Sequence, residues 1–315
     1  MESRTSGEPV AELRESPDEV TAAVRLLERH PDFRVLRRLG TPSVVSVQIE
    51  GAASRAAVVD VETTGTGPDD RLVELAALIF EYDPANGRMG RVLDTYDALE
   101  DPGRPIPPEA VAIHGITDAM VAGQALDEAR VRSLFDGVGL DIAHNAKFDR
   151  QFLERRLDLF AALPWACSYE QIPWAEEGLR GGRLEYLAME FGFFYEAHRR
   201  ATDCEALLQL LRQTLPRSGV SAFEKLLADV QNPAYSLAAL DSPFEKKELL
   251  KTRGYRWDDK RRVWHRVVPH AAAKAEAEWL KAEIYGGLRC RIEVEKLDAL
   301  IRFSGRSGPR RVRTI

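Results

Sequence analysis

The chain has 315 residues, 44% hydrophobic and 30% charged, with 44 Lys plus Arg against 50 Asp plus Glu for a formal net charge of −6. That is the composition of a soluble globular protein of about two domains, and it excludes disordered, collagenous and fibrous classes. The total conceals an asymmetry, because residues 1–242 carry 25 basic and 40 acidic side chains whereas residues 243–315 carry 19 and 10.

In chain order, residues 1–15 are rich in Ser, Glu and Arg and read as disordered. Ser16-Pro17-Asp18-Glu19 reads as a helix start, with a cap residue, proline at the first helical position and acids in the first turn. Val20, Val24 and Leu27 continue it, and Val35, Leu36 and Leu39 predict a second short helix after His30-Pro31. From Val44 the pattern becomes extended. Residues 56–62 read as a buried strand ending in two carboxylates, and Leu72 to Tyr82 and Arg91 to Leu99 as two more, joined by a Pro84-Ala85-Asn86-Gly87 turn. Pro102 to Pro108 breaks the pattern. Helices are predicted at 127–136, 147–160, 183–191 and 201–214, with a short strand at Asp141-Ile142-Ala143. Strands first and helices later predict a mixed sheet covered by helices. A stretch from Pro216 to Pro233 reads as a linker. Beyond it the pattern gives a strand at 235–240, a helix at 244–253, a hairpin from Arg256 to Val268 turning at Asp258-Asp259, a helix at 271–285 and strands past Arg289.

Cys167, Cys204 and Cys290 are widely spaced without a C-x-x-C pair, which points to reduced thiols rather than a disulfide framework or a zinc site. No apolar run approaches the roughly 18 residues of a membrane span. A cytoplasmic location and no membrane partner are expected.

Asp60 and Glu62 stand two apart on the first predicted strand, so both project from one face. Paired carboxylates on an otherwise apolar strand repel each other unless a cation lies between them. The alternative is an edge strand with ordinary surface acids. Thr63-Thr64-Gly65 follows, a tight turn whose backbone N–H groups suit a phosphate or sugar. Asp149 enters a helix after Ala143-His144-Asn145-Ala146-Lys147-Phe148, where it is either a functional acid or a first-turn acid favoured by the helix dipole. His198 precedes Asp203 by five residues at the start of an apolar helix.

Taken together and in this order, Asp60-Val61-Glu62-Thr63-Thr64-Gly65, the strand Asp70 to Ala76, the loop Ile113-His114-Gly115-Ile116-Thr117, His144 to Asp149 and His198 to Asp203 resemble the motifs of the DEDDh exonucleases. The likeness extends to the epsilon proofreading subunit of bacterial DNA polymerase III and covers residues 56 to about 215. It implies an α/β fold in which a ribonuclease-H-like mixed sheet is flanked by helices, with an N-terminal helical arm and a small α+β C-terminal domain as additions. The corresponding organisation is a disordered start and arm over 1–50, a 3′–5′ exonuclease domain over 51–216, a linker over 217–234 and a basic module over 235–315.

The resemblance further implies that Asp60, Glu62, Asp149 and Asp203 hold two divalent cations, Mg²⁺ or Mn²⁺, which stabilise the attacking and leaving oxygens at phosphorus, Asp60 bridging both. His198 is then the general base, since imidazole accepts a proton near neutral pH. Thr63, Thr64 and Gly65 would contact the terminal nucleotide through backbone N–H groups, and Asn145 would join them. His114 would lie against the base or sugar, or else make a loop-stabilising hydrogen bond. Phe148 either packs in the core or lines the cleft. Arg199 and Arg200 add phosphate contacts or are solvated surface charge.

In the C-terminal module, Lys246, Lys247, Lys251, Arg253, Arg256, Lys260, Arg261 and Arg262 are interleaved with Phe244, Tyr255, Trp257 and Trp264. Such a surface can follow a phosphate backbone while bases stack on the rings. Alternatively the two tryptophans are core residues flanking a hairpin. Arg306, Arg310, Arg311 and Arg313 are expected in a flexible basic tail. The expected substrate is a DNA 3′ end in proofreading or repair. The rivals are an RNA-trimming exonuclease and, from another class, a docking subunit of a DNA polymerase complex.

Overall fold

The computed structural model describes residues 17–40, 49, 51–197 and 201–315. Helix α1 (Pro17–Glu28) starts where the proline and acids predict it. The second short helix of the arm is replaced by strand β1 (Arg37–Arg38). The predicted disorder of residues 1–15 and the change of pattern at Val44 fall outside the described residues.

Three long strands follow, β2 (Ser54–Thr63), β3 (Leu72–Tyr82) and β4 (Met89–Leu99). They form an antiparallel meander, and the predicted Pro84–Gly87 turn closes with the Gly87 N–H donating to the Asp83 carbonyl at 2.9 Å. Gly87 is required there: a Cβ would lie 2.9 Å from the Glu224 backbone. Helices α2 (Pro108–His114), α3 (Asp118–Val121) and α4 (Glu128–Leu134) lead to β5 (Val138–Ala143), which pairs parallel with β2. Then come α5 (Ala146–Arg156), α6 (Leu159–Ala162) and β6 (Trp165–Cys167), parallel to β5. The sheet order is β4-β3-β2-β5-β6, a mixed sheet with the ribonuclease-H-like exonuclease architecture.

Helices α7 (Ser168–Gln171) and α8 (Leu184–Glu190) precede β7 (Phe193–Phe194), the parallel partner of β1. This pairing is the physical reason the arm ends extended: the Arg37 N–H donates to Gly192 O at 2.9 Å and the Leu39 N–H to Phe194 O at 2.8 Å. Helix α9 (Thr202–Leu211) buries Leu207, Leu208, Leu210 and Leu211 against one sheet face, beside Val58, Leu78 and Ile142. On the other face, Phe152 and Leu153 of α5 and Val131 and Leu134 of α4 cover Val59, Val61 and Leu75. The stretch 217–234, expected as a linker, instead contains α10 (Ala222–Val230), whose Phe223 and Leu226 are buried in the first of these cores.

The C-terminal sheet is antiparallel, in the order β12-β11-β8-β10-β9. Its elements are β8 (Ala234–Ala239), α11 (Lys247–Thr252), β9 (Arg256–Asp258), β10 (Val263–Pro269), α12 (His270–Trp279), β11 (Arg291–Leu297) and β12 (Arg310–Thr314). Past Trp279 the chain continues as a π turn over Leu280–Ile284, rather than as the uninterrupted helix expected. Trp257 and Trp264 are cross-strand partners with ring centres 5.5 Å apart; Trp264 packs into the core and Trp257 is 43% exposed. The expected flexible tail is a strand, because Arg310 to Thr314 pair with β11. Three of the eight cations of the basic cluster are paired internally: Arg253 shares Glu276 with Arg266, Arg261 pairs with Glu293 and Lys251 with Glu248. All three cysteines are free and buried. No helix among the described residues is long and apolar enough to cross a membrane.

Candidate active site

The parallel strands β2 and β5 run toward the same end of the sheet, β2 reaching past the last residue of β5, at the carboxyl end where α/β folds place their ligands. Asp60 and Glu62 project there from the face that α9 covers. Glu74 stands directly opposite Glu62 on β3, and Ala76 opposite Asp60. The small Ala76 leaves room beside Asp60, and the Cys204 thiol of α9 donates to its carbonyl at 3.6 Å.

Asp149 lies in the first turn of α5 and Asp203 in the first turn of α9, where the helix dipoles favour negative charge. The Val61 N–H of β2 donates to Asp149 Oδ1 at 3.2 Å, which fixes that carboxylate against the strand. The Tyr195 hydroxyl donates to Asp203 Oδ1 at 3.2 Å. Burial, then Asp149, Asp203, Glu62 and Glu74 in turn, push the Asp60 carboxyl well above the usual carboxylate range. Asp149 is pushed up to about 7, by burial first and by Glu62 and Asp203 after it, against its backbone hydrogen bonds. Burial and the neighbouring acids also hold Tyr195 protonated, well above the usual tyrosine range.

The site is therefore overloaded with negative charge. Every candidate donor is a carboxylate oxygen, the chemistry of a hard divalent cation such as Mg²⁺ or Mn²⁺. Among the described residues, no three His, Cys, Asp or Glu side chains stand as a ready-made ligand set. Asp60, Glu62, Asp149 and Asp203 could hold such an ion by closing on it, and the charge excess at Asp60 and Asp149 favours that closure.

The four acids occupy one end of a cleft of about 790 Å³, within the range of small-ligand sites. Thr63, Thr64, Gly65, His114, Asn145 and Phe148 line the same cleft, so all ten described candidates come together. His198 and Arg199-Arg200 lie outside the described residues. The Thr64 N–H is engaged, donating to Arg71 O at 2.9 Å, so the expected backbone contact by Thr64 is not available to a nucleotide. His114 Nδ1 accepts the Ile116 N–H at 3.0 Å, the loop-stabilising bond, and its ring also lines the cleft. Phe148 is half-buried, packing on Phe152 with ring centres 5.0 Å apart and also facing the cleft.

Three features escape the sequence reading. Asp70 pins the loop: the Thr64 hydroxyl donates to its Oδ1 at 2.8 Å and the Gly67 N–H to its Oδ2 at 2.8 Å. The Gly67 and Thr64 bonds hold the Asp70 carboxyl below the usual range. A Cβ at Gly65 would lie 2.5 Å from Asp70 Oδ2, which is why the Thr-Thr-Gly turn ends in glycine. Tyr195 had no signal beyond its proximity to Asp203 in sequence, whereas Glu74 could have been found as a lone acid in an apolar strand. His144 is a neutral wall residue: its Nε2–H donates to Gly182 O at 2.7 Å, its Nδ1 accepts from the Ser168 hydroxyl at 2.8 Å, and burial lowers it to about 4.

An exonuclease (RNase T) family model matches residues 57–211. Over 161 residues the chain is 30% identical to the DNA polymerase III subunit epsilon of Treponema pallidum, an alignment covering 48% of this chain and 72% of that protein. The chain belongs to this exonuclease family. The chain is also 40% identical over 131 residues to a DNA polymerase III subunit epsilon-like protein of Rhodobacter capsulatus, covering 40% of this chain but only 17% of that protein. It thus spans about a sixth of the Rhodobacter protein's length. The structure of E. coli exonuclease I in complex with a dA16 oligonucleotide aligns with a TM-score of 0.43 and 21% identity, over 58% of this chain and 48% of that one. The family generally uses divalent metal ions.

Proposed function

We propose that the chain is a 3′–5′ exonuclease, dependent on two divalent cations, that removes the terminal nucleotide from a DNA 3′ end in replication proofreading or repair. The observation that carries this reading is the convergence of Asp60, Glu62, Asp149 and Asp203, from one strand and two helices, at one end of a nucleotide-sized cleft. When bound, Mg²⁺ or Mn²⁺ would supply charge neutralisation to the attacking and leaving oxygens of an in-line displacement.

The chain's own residues do the rest. The Val61 N–H and the Tyr195 hydroxyl hold Asp149 and Asp203 in place, so little reorganisation is needed as charge develops at phosphorus. The loop pinned by Asp70 gives a fixed wall against which the terminal sugar and phosphate can rest, with Gly65 allowing close approach. His114 and Phe148 offer ring surfaces to the base. His198, five residues before Asp203, is the residue that takes the proton from the attacking water. The named function of the Treponema relative favours DNA over RNA and makes a DNA polymerase the natural partner.

The test is digestion of 5′-labelled single-stranded DNA, with matched RNA in parallel and with Mg²⁺ or Mn²⁺ present. We expect a ladder shortening from the 3′ end. Asp149→Asn should lower the rate by about 10³-fold or more while leaving the circular dichroism spectrum unchanged. Wild-type turnover by the metal-loaded variant, or faster digestion of the RNA, overturns the reading.

A further inference from the structure

A second cavity of about 350 Å³ opens off the active-site cleft, sharing Thr66, Asn145 and Phe148 with it and running on past Lys147, Gln151 and Arg155. Those last three residues stand at i, i+4 and i+8 on α5, so they form one stripe along the helix, about 12 Å long at 1.5 Å per residue. No acidic side chain lines this cavity, although the cleft it joins is dominated by carboxylates.

The other cations of α5 behave differently. Arg150 pairs with Glu154, and Arg156 with both Glu100 and Glu128. Lys147 and Arg155 take part in no ion pair among the described residues. The Arg155 guanidinium lies 4.4 Å from the centre of the Phe152 ring. Phe152 in turn packs on Phe148, so the stripe is backed by rings that tie it to the terminal pocket. Helix α5 thus presents two cations outside any close ion pair in a groove continuous with the cleft, with the Gln151 amide between them, one of whose N–H groups donates to Lys147 O at 2.8 Å.

We propose that this groove is a strand-holding subsite, in which Lys147, Gln151 and Arg155 bind the phosphodiester backbone of the substrate strand on the 5′ side of the terminal nucleotide. It rests on the exonuclease reading above. Charge complementarity decides the occupant: an acid-free groove with two cations outside any close ion pair, Arg155 feeling Asp70 only at longer range, opens from the site where a 3′ terminus would sit and matches the next few phosphates of a polyanion. At an axial spacing of about 3.4 Å per nucleotide, the stripe spans about three nucleotides. A catalytic end that is itself acidic needs such a hold, because the four carboxylates repel the strand outside the reach of bound cations.

The test compares wild type with the double variant Lys147→Gln/Arg155→Gln on two substrates: a 12-nucleotide single strand and the p-nitrophenyl ester of thymidine 5′-monophosphate, which fills only the terminal pocket. For the 12-mer, kcat/KM is expected to fall about tenfold through KM, and the salt dependence of its binding to weaken by about 1.4 in log–log slope, two contacts at about 0.7 each. Turnover of the ester should be unchanged. An unchanged 12-mer with an unchanged slope overturns the subsite, as does an ester that loses as much as the 12-mer. If wild type hydrolyses neither substrate, the exonuclease reading fails. Fluorescence anisotropy of the labelled 12-mer in EDTA then decides the groove by the same difference in slope.

Discussion

The Asp149 carboxyl combines burial, two neighbouring acids and two backbone N–H groups, its own and that of Val61, and the balance leaves it at about 7 against an ordinary 3.8. Between those values the native state keeps a proton that the unfolded chain has released, so stability falls as pH rises from about 4 to about 7. Divalent cations should reverse that loss, because they stabilise the ionised form. We therefore expect the melting temperature of wild type, relative to Asp149→Asn, to decline across this window by at least about 3 °C in EDTA, the shift that ~1 kcal/mol produces in a domain of this size. In Mg²⁺ or Mn²⁺ the decline should vanish. A flat difference across the window in EDTA would contradict the assignment. Tyr195 makes a separate prediction. Its hydroxyl donates to Asp203 from outside the carboxylate cluster. Tyr195→Phe should lower kcat about tenfold, the equivalent of one hydrogen bond to a charged group, and raise the Mn²⁺ concentration needed for half-maximal activity. If a metal titration shows neither change, the tyrosine serves packing alone.

Among the elements, β2, β3 and β4 were legible because long apolar runs separated by a Pro-Ala-Asn-Gly turn admit few other foldings, and α5, α8 and α9 because their apolar residues recur at helical spacing. Carboxylates on an apolar strand betray a site for the same reason that they are costly there. Helix α10 was hidden between Pro216 and Pro233, yet Ser221 caps it by accepting the Glu224 N–H at 3.0 Å, a Ser-x-x-Glu signature present in the sequence. Strands β1, β6 and β12 are two, three and five residues long, and each exists because a partner strand supplies its hydrogen bonds, which local pattern cannot report. The Asp70 pin on the Thr-Thr-Gly turn is likewise a contact across a loop, invisible until the loop is closed. That pin predicts non-additivity. Gly65→Ala drives a methyl group into the Asp70 carboxylate and should destabilise by about 1–3 kcal/mol, as overpacking does. Once Asp70→Ala has removed the obstacle, adding Gly65→Ala should cost almost nothing further. Additive losses in a denaturant double-mutant cycle would show that the glycine answers to something other than Asp70.

Across the whole molecule, the net charge of −6 describes neither the acidic cleft nor the C-terminal sheet, and the two are joined by one buried cation. Arg150 of α5 is fully buried, and its guanidinium donates to the carbonyls of Ala299, Leu300 and Arg302 at 2.6–3.1 Å and to Glu154 at 2.7 Å. Those carbonyls belong to the segment between β11 and β12, which also accepts the Trp165 N–H of edge strand β6 at 2.8 Å. The segment is held further by Ser304 and Arg306 on Glu154, by Arg302 on Asp229 and by Phe303 in the catalytic core. The C-terminal sheet is thus fastened to the very helix whose neighbouring stripe we assign to the strand. Removing the guanidinium would take the Arg302 carbonyl's donor and Glu154's nearest cation, although Ala299 O keeps the Trp165 N–H and Leu300 O keeps Arg306, an imbalance of the kind that costs about 3–5 kcal/mol. Arg150→Ala should therefore separate one thermal transition into two, expose the segment 298–309 to limited proteolysis and weaken long-strand binding more than terminal-nucleotide hydrolysis. Arg150→Lys should not restore the wild-type behaviour, because an ammonium cannot reproduce the planar fork that meets three carbonyls and a carboxylate at once. A single transition at the wild-type temperature in Arg150→Ala would mean that the remaining contacts of this segment hold the two sheets together without the buried cation.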